Sequence, residues 1–294
     1  MVTGANGFPQ GDRSGLGYHQ ALGLLRAGAE VIIASSDGSR GEEAVRRMRD
    51  EVPDGSVRFE QLDLASLRSV SDLASRMRSS ADGLDLLINN AGVMGRIERE
   101  VSADGHERVF ATNTLGHFAL TAELLPMLQK GRASRVVWMA SMRTSDALPF
   151  DDLQLERSYD YAAAYNHSKL ANLLLAFELH RRSQVQGWKI NSLAAHPGVA
   201  RTNLIPDGPG LESREGQRFR NMPMMFQPAE RGALPVLYAA TSPDAAGGAY
   251  YGPKSFGGLR GLPGKAPIPP AADDIDASAR LWAALESLSG VSFG

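Results

Sequence analysis

The chain has 294 residues, of which 43% are hydrophobic and 22% charged, and its net charge is −2. This is the composition of an ordinary globular protein, and no excess of basic residues predicts a nucleic-acid or membrane-surface partner. The absence of cysteine excludes disulfides, thiolate nucleophiles and cysteine metal sites. With no apolar run of about 18 residues and no leader peptide, we expect a cytoplasmic protein without a membrane span.

Short apolar runs rich in Val, Ile and Leu alternate with helical patterns up to about residue 200. After a very short first strand, the strand patterns lie at 30–35, 57–64, 84–92, 135–141 and 188–198. The helix patterns lie at 16–28, 40–52, 67–79, 103–130 (with a bend) and 161–185. This alternation predicts an α/β fold of the Rossmann type, a doubly wound parallel sheet with helices on both faces. Such sheets bind ligands at the carboxyl ends of their strands.

The alternation is unbroken, so we interpret residues 1–294 as a single domain. Residues 202–227 are rich in Pro, Gly, Met and Arg and lack strand periodicity, which indicates a lid at about 203–227 or, alternatively, a disordered loop. A helix is predicted at 228–240. Residues 247–294 are predicted to be an irregular extension, Gly- and Pro-rich to residue 270, that ends in an amphipathic helix at 273–288.

The chain opens with MVTGANGFPQGDRSGLG, in which glycines stand between a very short strand and an apolar helix. Glycine lets a backbone approach phosphate and a helix N-terminus supplies free N–H groups, so the pattern indicates a dinucleotide site. A Gly/Pro turn without a ligand is the alternative. Without residues 7–13 the segment reads TGANSGLG, which resembles the TGxxxGxG motif of the short-chain dehydrogenase/reductase family. The insertion and the short first strand depart from that pattern, and we expect the short strand to lower stability.

The resemblance implies a set of cofactor-binding residues, spread over the ends of several strands. They are Thr3, Gly4, Ser14, Gly15, Leu16 and Gly17 near the pyrophosphate, Ser36 near the adenosine ribose, Asp63 and Leu64 near the adenine, Asn90, Ala91 and Gly92 in the NNAG turn, Tyr165 and Lys169, and Pro197, Gly198 and Thr202 near the nicotinamide. Helix capping is the alternative role for Asp63, although Ser66 suits that role.

The second strand ends at two serines that bear on cofactor choice. Ser35 stands where an acid would select NAD, and Ser36 stands where many NADP-binding relatives carry Arg. Neither charge is present, but Arg40, or Arg13 from the insertion, is a candidate to reach a 2′-phosphate, although Asp37 also stands near. We therefore predict NADP, with NAD as the alternative.

The catalytic candidates are centred on the motif YNHSK. Tyr165 and Lys169 are four residues apart and therefore share one helix face. A nearby ammonium lowers the pKa of a phenol, which makes tyrosine usable as a general acid or base. The resemblance implies that Ser141 hydrogen-bonds the substrate oxygen, with Ser145 as the competitor. It also implies that Asn113 holds a water for a proton relay, whereas a buried Asn at a helix bend is the alternative.

The wider pattern places the chain in one branch of that family. The stretches TNTLGHFALT and SKLANLLLAFELHRR resemble the retinol dehydrogenase/WW-domain oxidoreductase-like branch. The predicted function is NAD(P)-dependent hydride transfer between the nicotinamide and an alcohol or carbonyl substrate. The alternative is a weak or inactive dinucleotide-binding regulatory protein, because the glycine loop is interrupted and the first strand is short.

Substrate and partners are less closely specified by the sequence. Met222, Met224, Met225 and Phe226 of the lid, with Leu204, favour an apolar alcohol or ketone, although these side chains could equally pack the lid itself. The six histidines show no metal-ligand spacing, so no metal is predicted. The long helix carries an apolar stripe that is compatible with a homo-oligomer and equally with core packing. The stripe consists of Leu170, Leu174 and Phe177.

Overall fold

The structure is a computed structural model that describes residues 1–6 and 15–293. Within these ranges the strands are β1 (Val2–Thr3), β2 (Val31–Ser35), β3 (Val57–Gln61), β4 (Leu86–Asn89), β5 (Arg135–Met139), β6 (Asn191–Ala195), β7 (Tyr250–Ser255) and β8 (Arg260–Lys265). The helices are α1 (Leu16–Arg26), α2 (Gly38–Glu51), α3 (Leu67–Ser80), α4 (Arg108–Phe110), α5 (Gly116–Glu123), α6 (Leu125–Lys130), α7 (Tyr161–Gln186), α8 (Arg214–Asn221), α9 (Ala229–Thr241) and α10 (Ile275–Ser289).

The strands of the described residues form one sheet in the order β3-β2-β1-β4-β5-β6-β7-β8. Every pairing from β3 through β7 is parallel, which confirms the predicted Rossmann-type sheet. β8 pairs antiparallel with β7, so the Gly- and Pro-rich part of residues 247–294 is a hairpin and its prediction as irregular is wrong. Pairing with β6 outweighs the poor strand propensity of its Gly and Pro residues.

Two apolar cores cover the two faces of this sheet, as expected for a doubly wound fold. Strand residues alternate between them: Val137 belongs to the core that includes α1, α2 and α9, and Trp138 to the core that includes α3, α5, α7 and α10. In the predicted apolar stripe of α7, Leu170 and Leu174 are fully buried in the second of these cores and Phe177 is half-buried. The first two therefore offer no surface to another chain.

The short β1 occupies a central position between β2 and β4. Its hydrogen-bonding ladder extends beyond the two strand residues, because Ile88 donates to the carbonyl of Met1 at 2.9 Å and Gly4 donates to the carbonyl of Ala34 at 2.7 Å. Val2 is fully buried. The chain is thus held in the centre of the sheet by one more residue on each side than the strand itself.

The segment predicted to be helical at 103–130 begins later and contains the expected irregularity. α4 starts after Glu107, whose carboxylate accepts from the backbone N–H groups of Val109 and Phe110. A π-helical turn, Ala111–Leu115, then widens the helix before α5. Wide turns of this kind are frequent at functional sites because they re-aim side chains, and here the turn carries Asn113.

The predicted lid at 203–227 contains regular structure, namely α8 and a 3₁₀ turn at Pro223–Met225. Its two ends are joined, because Arg201 donates to the carbonyl of Gln227 and Gln227 donates to the carbonyl of Val199, both at 2.8 Å. The amide of Gln227 also donates to the carbonyl of Pro197 at 2.6 Å. The segment is therefore a closed excursion anchored beside the end of β6.

Candidate active site

A cavity of about 370 Å³ lies at the carboxyl ends of the parallel strands and extends under the 203–227 segment. It is lined by almost all of the site residues predicted from the sequence. These are Gly4, Gly15, Leu16, Gly17, Ser36, Asp63, Leu64, Asn90, Ala91, Gly92, Ser141, Tyr165, Lys169, Pro197, Gly198 and Thr202. Thr3 and Asn113 lie behind this surface, and Ser14 and the 7–13 insertion fall outside the described residues.

Thr3 fixes the turn that follows β4. Its hydroxyl accepts from the backbone N–H groups of Asn90 and Ala91, both at 2.9 Å, and the Asn90 amide donates to the Thr3 carbonyl at 2.8 Å. Gly4 has φ +69°, and a Cβ there would lie 2.8 Å from Ala91 Cα. Thr3 therefore acts by shaping the wall of the cavity, which it does not line itself.

The start of α1 suits an anionic group. Its N-cap is Gly15, and no described side chain caps it. A Cβ at Gly17 would lie 2.7 Å from the Asn90 amide nitrogen, so only glycine permits this approach of the helix to the turn. A helix start without a side-chain cap, opening on a cavity, has the N–H groups and the dipole that bind a pyrophosphate.

Asn113 is fully buried in the π-helical turn and binds the chain after β4. Its side chain accepts from the Val93 N–H at 2.8 Å and donates to the Val93 carbonyl at 3.0 Å. Its own carbonyl lies 3.0 Å from His117 Nδ1, and His117 Nε2 lies 2.9 Å from the Thr3 hydroxyl. A carbonyl only accepts, so Nδ1 carries the proton and Nε2 accepts from Thr3. Burial lowers the pKa of His117 to about 4, which keeps the ring neutral.

At the end predicted to hold the adenosine, the cavity is lined by Ser35, Ser36, Arg40 and Asp63. Arg40 pairs with Asp37, whose carboxylate lies 3.2 Å from its Nε. The capping alternative for Asp63 is not observed, because α3 is capped by the Ser66 hydroxyl, which accepts from the Ser69 N–H.

Tyr165 and Lys169 project from the first half of α7, which begins where the Asp160 carboxylate accepts from the Ala163 N–H. Both side chains are buried, and Lys169 Nζ lies 5.5 Å from the centre of the Tyr165 ring. The ammonium donates to the carbonyl of Met139 at 3.0 Å, and burial lowers its pKa to about 8.

Opposing contributions act on the pKa of Tyr165. Burial raises the pKa of its phenol, while a side-chain hydrogen bond with Ser141 and the charge of Arg143 act to lower it. Arg143 is thus a further cation near Tyr165, beside Lys169. Ser141 is also held by the N–H of Arg143, which donates to its hydroxyl at 3.1 Å. The Ser145 hydroxyl does not line the cavity, which favours Ser141 over this competitor.

Several residues at the candidate site were not identified from the sequence. Met94, Thr112, Asn203 and Asp207 line the cavity, and Arg143 acts on Tyr165 from beside it. Spacing gives no signal for them, because each depends on how a loop folds back over the strand ends.

The lid methionines were placed wrongly. Of the five apolar residues predicted to form the substrate pocket, only Leu204 lines the cavity. Met222, Met224 and Met225 are exposed at the 3₁₀ turn, with Met224 87% exposed. Phe226 lines a separate cavity of about 360 Å³. The short turn points these side chains away from the strand ends.

Two further properties concern the described residues as a whole. Among them, no cluster of three or more His, Asp or Glu side chains has the arrangement of a metal site. Within the same part of the chain, no helix has both the length and the apolar character required to cross a membrane.

Comparison with known proteins agrees with this geometry. The short chain dehydrogenase family model matches residues 10–207. Retinol dehydrogenase 13 of Homo sapiens is 37% identical over 300 residues, covering 99% of this chain and 84% of the relative. Polyprenol dehydrogenase of Mus musculus is 37% identical over 301 residues, covering 100% and 84%. A crystal structure of an uncharacterized protein from Mycobacterium Paratuberculosis has a TM-score of 0.78 at 37% identity, covering 100% of this chain and 93% of that one.

The parallel sheet, the cavity at its strand ends and these relatives lead to one assignment. The chain belongs to the short-chain dehydrogenase/reductase family, in its retinol dehydrogenase-like branch, and is an NAD(P)-dependent oxidoreductase that acts on CH–OH and C=O groups.

Proposed function

We propose that this protein interconverts an apolar alcohol and its carbonyl with NADP, using Tyr165 as the proton-transfer group. The observation that carries the proposal is that Tyr165 and Ser141 together line the wall of a cavity whose other end has a helix start suited to a pyrophosphate. The dinucleotide, when bound, supplies or accepts the hydride.

Each catalytic residue has a distinct task in this proposal. Tyr165 donates a proton to the carbonyl oxygen or takes it from the alcohol, and Ser141 orients that oxygen by hydrogen bonding. Lys169, whose pKa burial lowers to about 8, binds the cofactor ribose and exchanges a proton near neutral pH. Asn113 holds the π-helical turn against Val93. Its predicted role in holding a water for a proton relay stays a prediction.

NADP is favoured over NAD by the charges at the adenosine end. The cavity there has no carboxylate at Ser35 or Ser36 to accept from a ribose 2′-hydroxyl, and Arg40 lines it. A 2′-phosphate would compete with Asp37 for this guanidinium, because Asp37 already pairs with it. Arg40→Gln should weaken NADPH binding about tenfold and leave NADH binding within about twofold. Arg46→Gln is the matched control, since Arg46 is on the same helix but pairs with Glu43 outside the cavity.

An apolar substrate is supported by the lining near Tyr165 and by the relatives. Val93, Met94 and Leu204 give this end apolar surface. Two of the similar proteins are named for retinol and polyprenol, both hydrophobic alcohols. Asn203 and Asp207 also line the cavity, so a panel should include polar alcohols of the same length for comparison.

The decisive experiment is Tyr165→Phe. We expect kcat to fall at least about 100-fold, because the proton donor is lost, while NADPH affinity stays within about twofold. Tyr251→Phe is the matched control, because Tyr251 is also buried but packs in the core with α1, α2 and α9. Turnover retained by Tyr165→Phe would contradict the proposal. NADPH binding by the wild type without turnover of any alcohol or carbonyl would favour the regulatory alternative.

A further inference from the structure

Tyr250, in the first position of β7, lies directly behind the catalytic serine. Its phenol donates to the backbone carbonyl of Ser141 at 2.9 Å, a contact that joins residues 109 positions apart in the chain. The side chain is 4% exposed and does not line the cavity, so it is in no position to touch a substrate. Its hydroxyl reaches the site through Ser141.

The neighbouring His196 extends this contact to the other side of the site. Its ring lies 5.1 Å from the Tyr250 ring, centre to centre, and its Nδ1 accepts from the Gly198 N–H at 3.2 Å. Burial lowers the pKa of His196 to about 4, so the ring stays neutral and keeps an acceptor for Gly198. The two packed rings thus hold the Ser141 backbone and the Pro197–Gly198 turn at a fixed separation.

Burial also ensures that Tyr250 remains a donor. It raises the pKa of the Tyr250 phenol, and the charge that Tyr165 carries as a phenolate raises it further. Tyr250 therefore stays protonated on the Ser141 carbonyl.

We propose that Tyr250, supported by His196, is a positioning residue that sets Ser141 against Tyr165 and against the nicotinamide-side turn. This inference rests on the proposed function, because it assigns Tyr250 a role in the same reaction. The hydrogen bond from Ser141 favours the Tyr165 phenolate, so a displaced Ser141 changes both the orientation of the substrate oxygen and the acidity of Tyr165.

Tyr250→Phe tests the proposal, with Tyr251→Phe as the matched control. Both tyrosines are buried in β7 and both hydroxyls are hydrogen-bonded, but the Tyr251 hydroxyl accepts from the Ala246 N–H on the other face of the sheet. We expect Tyr250→Phe to lower kcat about fivefold to tenfold, with NADPH affinity within about twofold of the wild type. Tyr251→Phe should leave kcat unchanged.

The pH profile separates positioning from general destabilisation. Alcohol oxidation requires the Tyr165 base, so loss of the Ser141 hydrogen bond should move the ascending limb of kcat/KM to higher pH in Tyr250→Phe alone. Hydrogen exchange should rise in the peptide that spans Ser141 in this variant, and near Ala246 in the control. The inference is overturned if Tyr250→Phe has the wild-type kcat and an unmoved ascending limb of kcat/KM. It is also overturned if both variants lose kcat equally. In either case the Tyr165 result stands. An inactive wild type would instead overturn the proposed function, and this inference with it.

Discussion

The turn after β4 and the 203–227 segment both line the same cavity, but they are held by different interactions. The turn is fixed by buried groups that bind backbone atoms, above all Thr3 and Asn113. The segment is fixed at its helix by Glu215, which accepts from the Tyr161 hydroxyl at 2.8 Å and pairs with Arg143 at 3.2 Å. Arg143 is 46% exposed, so water competes for this ion pair.

This difference teaches which part of the site is tied to folding. Buried polar groups that lose a partner cost free energy in full, because water is not there to replace it. Partly exposed ion pairs contribute little to stability. Disrupting the turn after β4 should therefore destabilise the fold, whereas disrupting the Glu215 contact of the 203–227 segment should alter activity more than stability.

Acidification should show the largest difference between the two regions. The unfolded chain protonates His117 near pH 6.5, but the folded chain does so only near 4, so the free energy of unfolding falls as pH drops between these values. For His117 alone the loss is about 2 kcal/mol between pH 7 and pH 5. Glu215 accepts hydrogen bonds from Tyr161 and Arg143, and these lower the pKa of its carboxyl. The contact of Glu215 with Arg143 therefore stays ionised in that pH window and is lost only in stronger acid.

Urea unfolding of the wild type and of His117→Asn at both pH values measures this effect. The variant should lose less stability on acidification than the wild type, by about 2 kcal/mol. Other buried histidines, such as His196, contribute equally to both proteins and cancel in the difference. An identical pH dependence in the two proteins would show that His117 is not held neutral.

Thr3→Val should have the next largest effect. The change keeps the shape of the side chain but leaves the partly buried Ala91 N–H without its acceptor, at a cost of about 1–3 kcal/mol in the free energy of unfolding. NADPH affinity should fall as well, because Ala91 lines the cavity. Thr3→Ser, which retains the hydroxyl, is the control and should lie close to the wild type. Equal stability of Val and Ser variants in chemical denaturation would refute the role given to this hydroxyl.

Glu215→Ala should have the smallest effect on stability and a clear one on kinetics. The free energy of unfolding should change by less than about 1 kcal/mol, because the ion pair is partly exposed. Loss of the contact frees α8 from Tyr161, so KM for the alcohol should rise severalfold while NADPH affinity is unchanged. Glu212→Ala is the matched control, since Glu212 pairs with Arg220 on the outside of the same segment. A KM equal to that of the control would mean that Glu215 does not hold the substrate side.

Much of the fold could be predicted because its signals are local. Strand and helix periodicities identified the parallel sheet, and the four-residue spacing of Tyr165 and Lys169 placed them on one face of α7. The β7–β8 hairpin was missed, because its Gly and Pro residues obscure the strand pattern. The lid methionines were misplaced, because composition does not show which way a short turn points its side chains.

By itself, the sequence determined the fold class, the family and the residue types available for proton transfer, since periodicity and motif spacing are properties of neighbouring residues. Only the tertiary structure decided which other groups act on the proton-transfer residues. Arg143 affects the acidity of Tyr165, and Tyr250 reaches Ser141 from 109 positions away. The reason is physical: hydrogen bonds and charge interactions depend on distance in space, and strand order and loop packing set that distance.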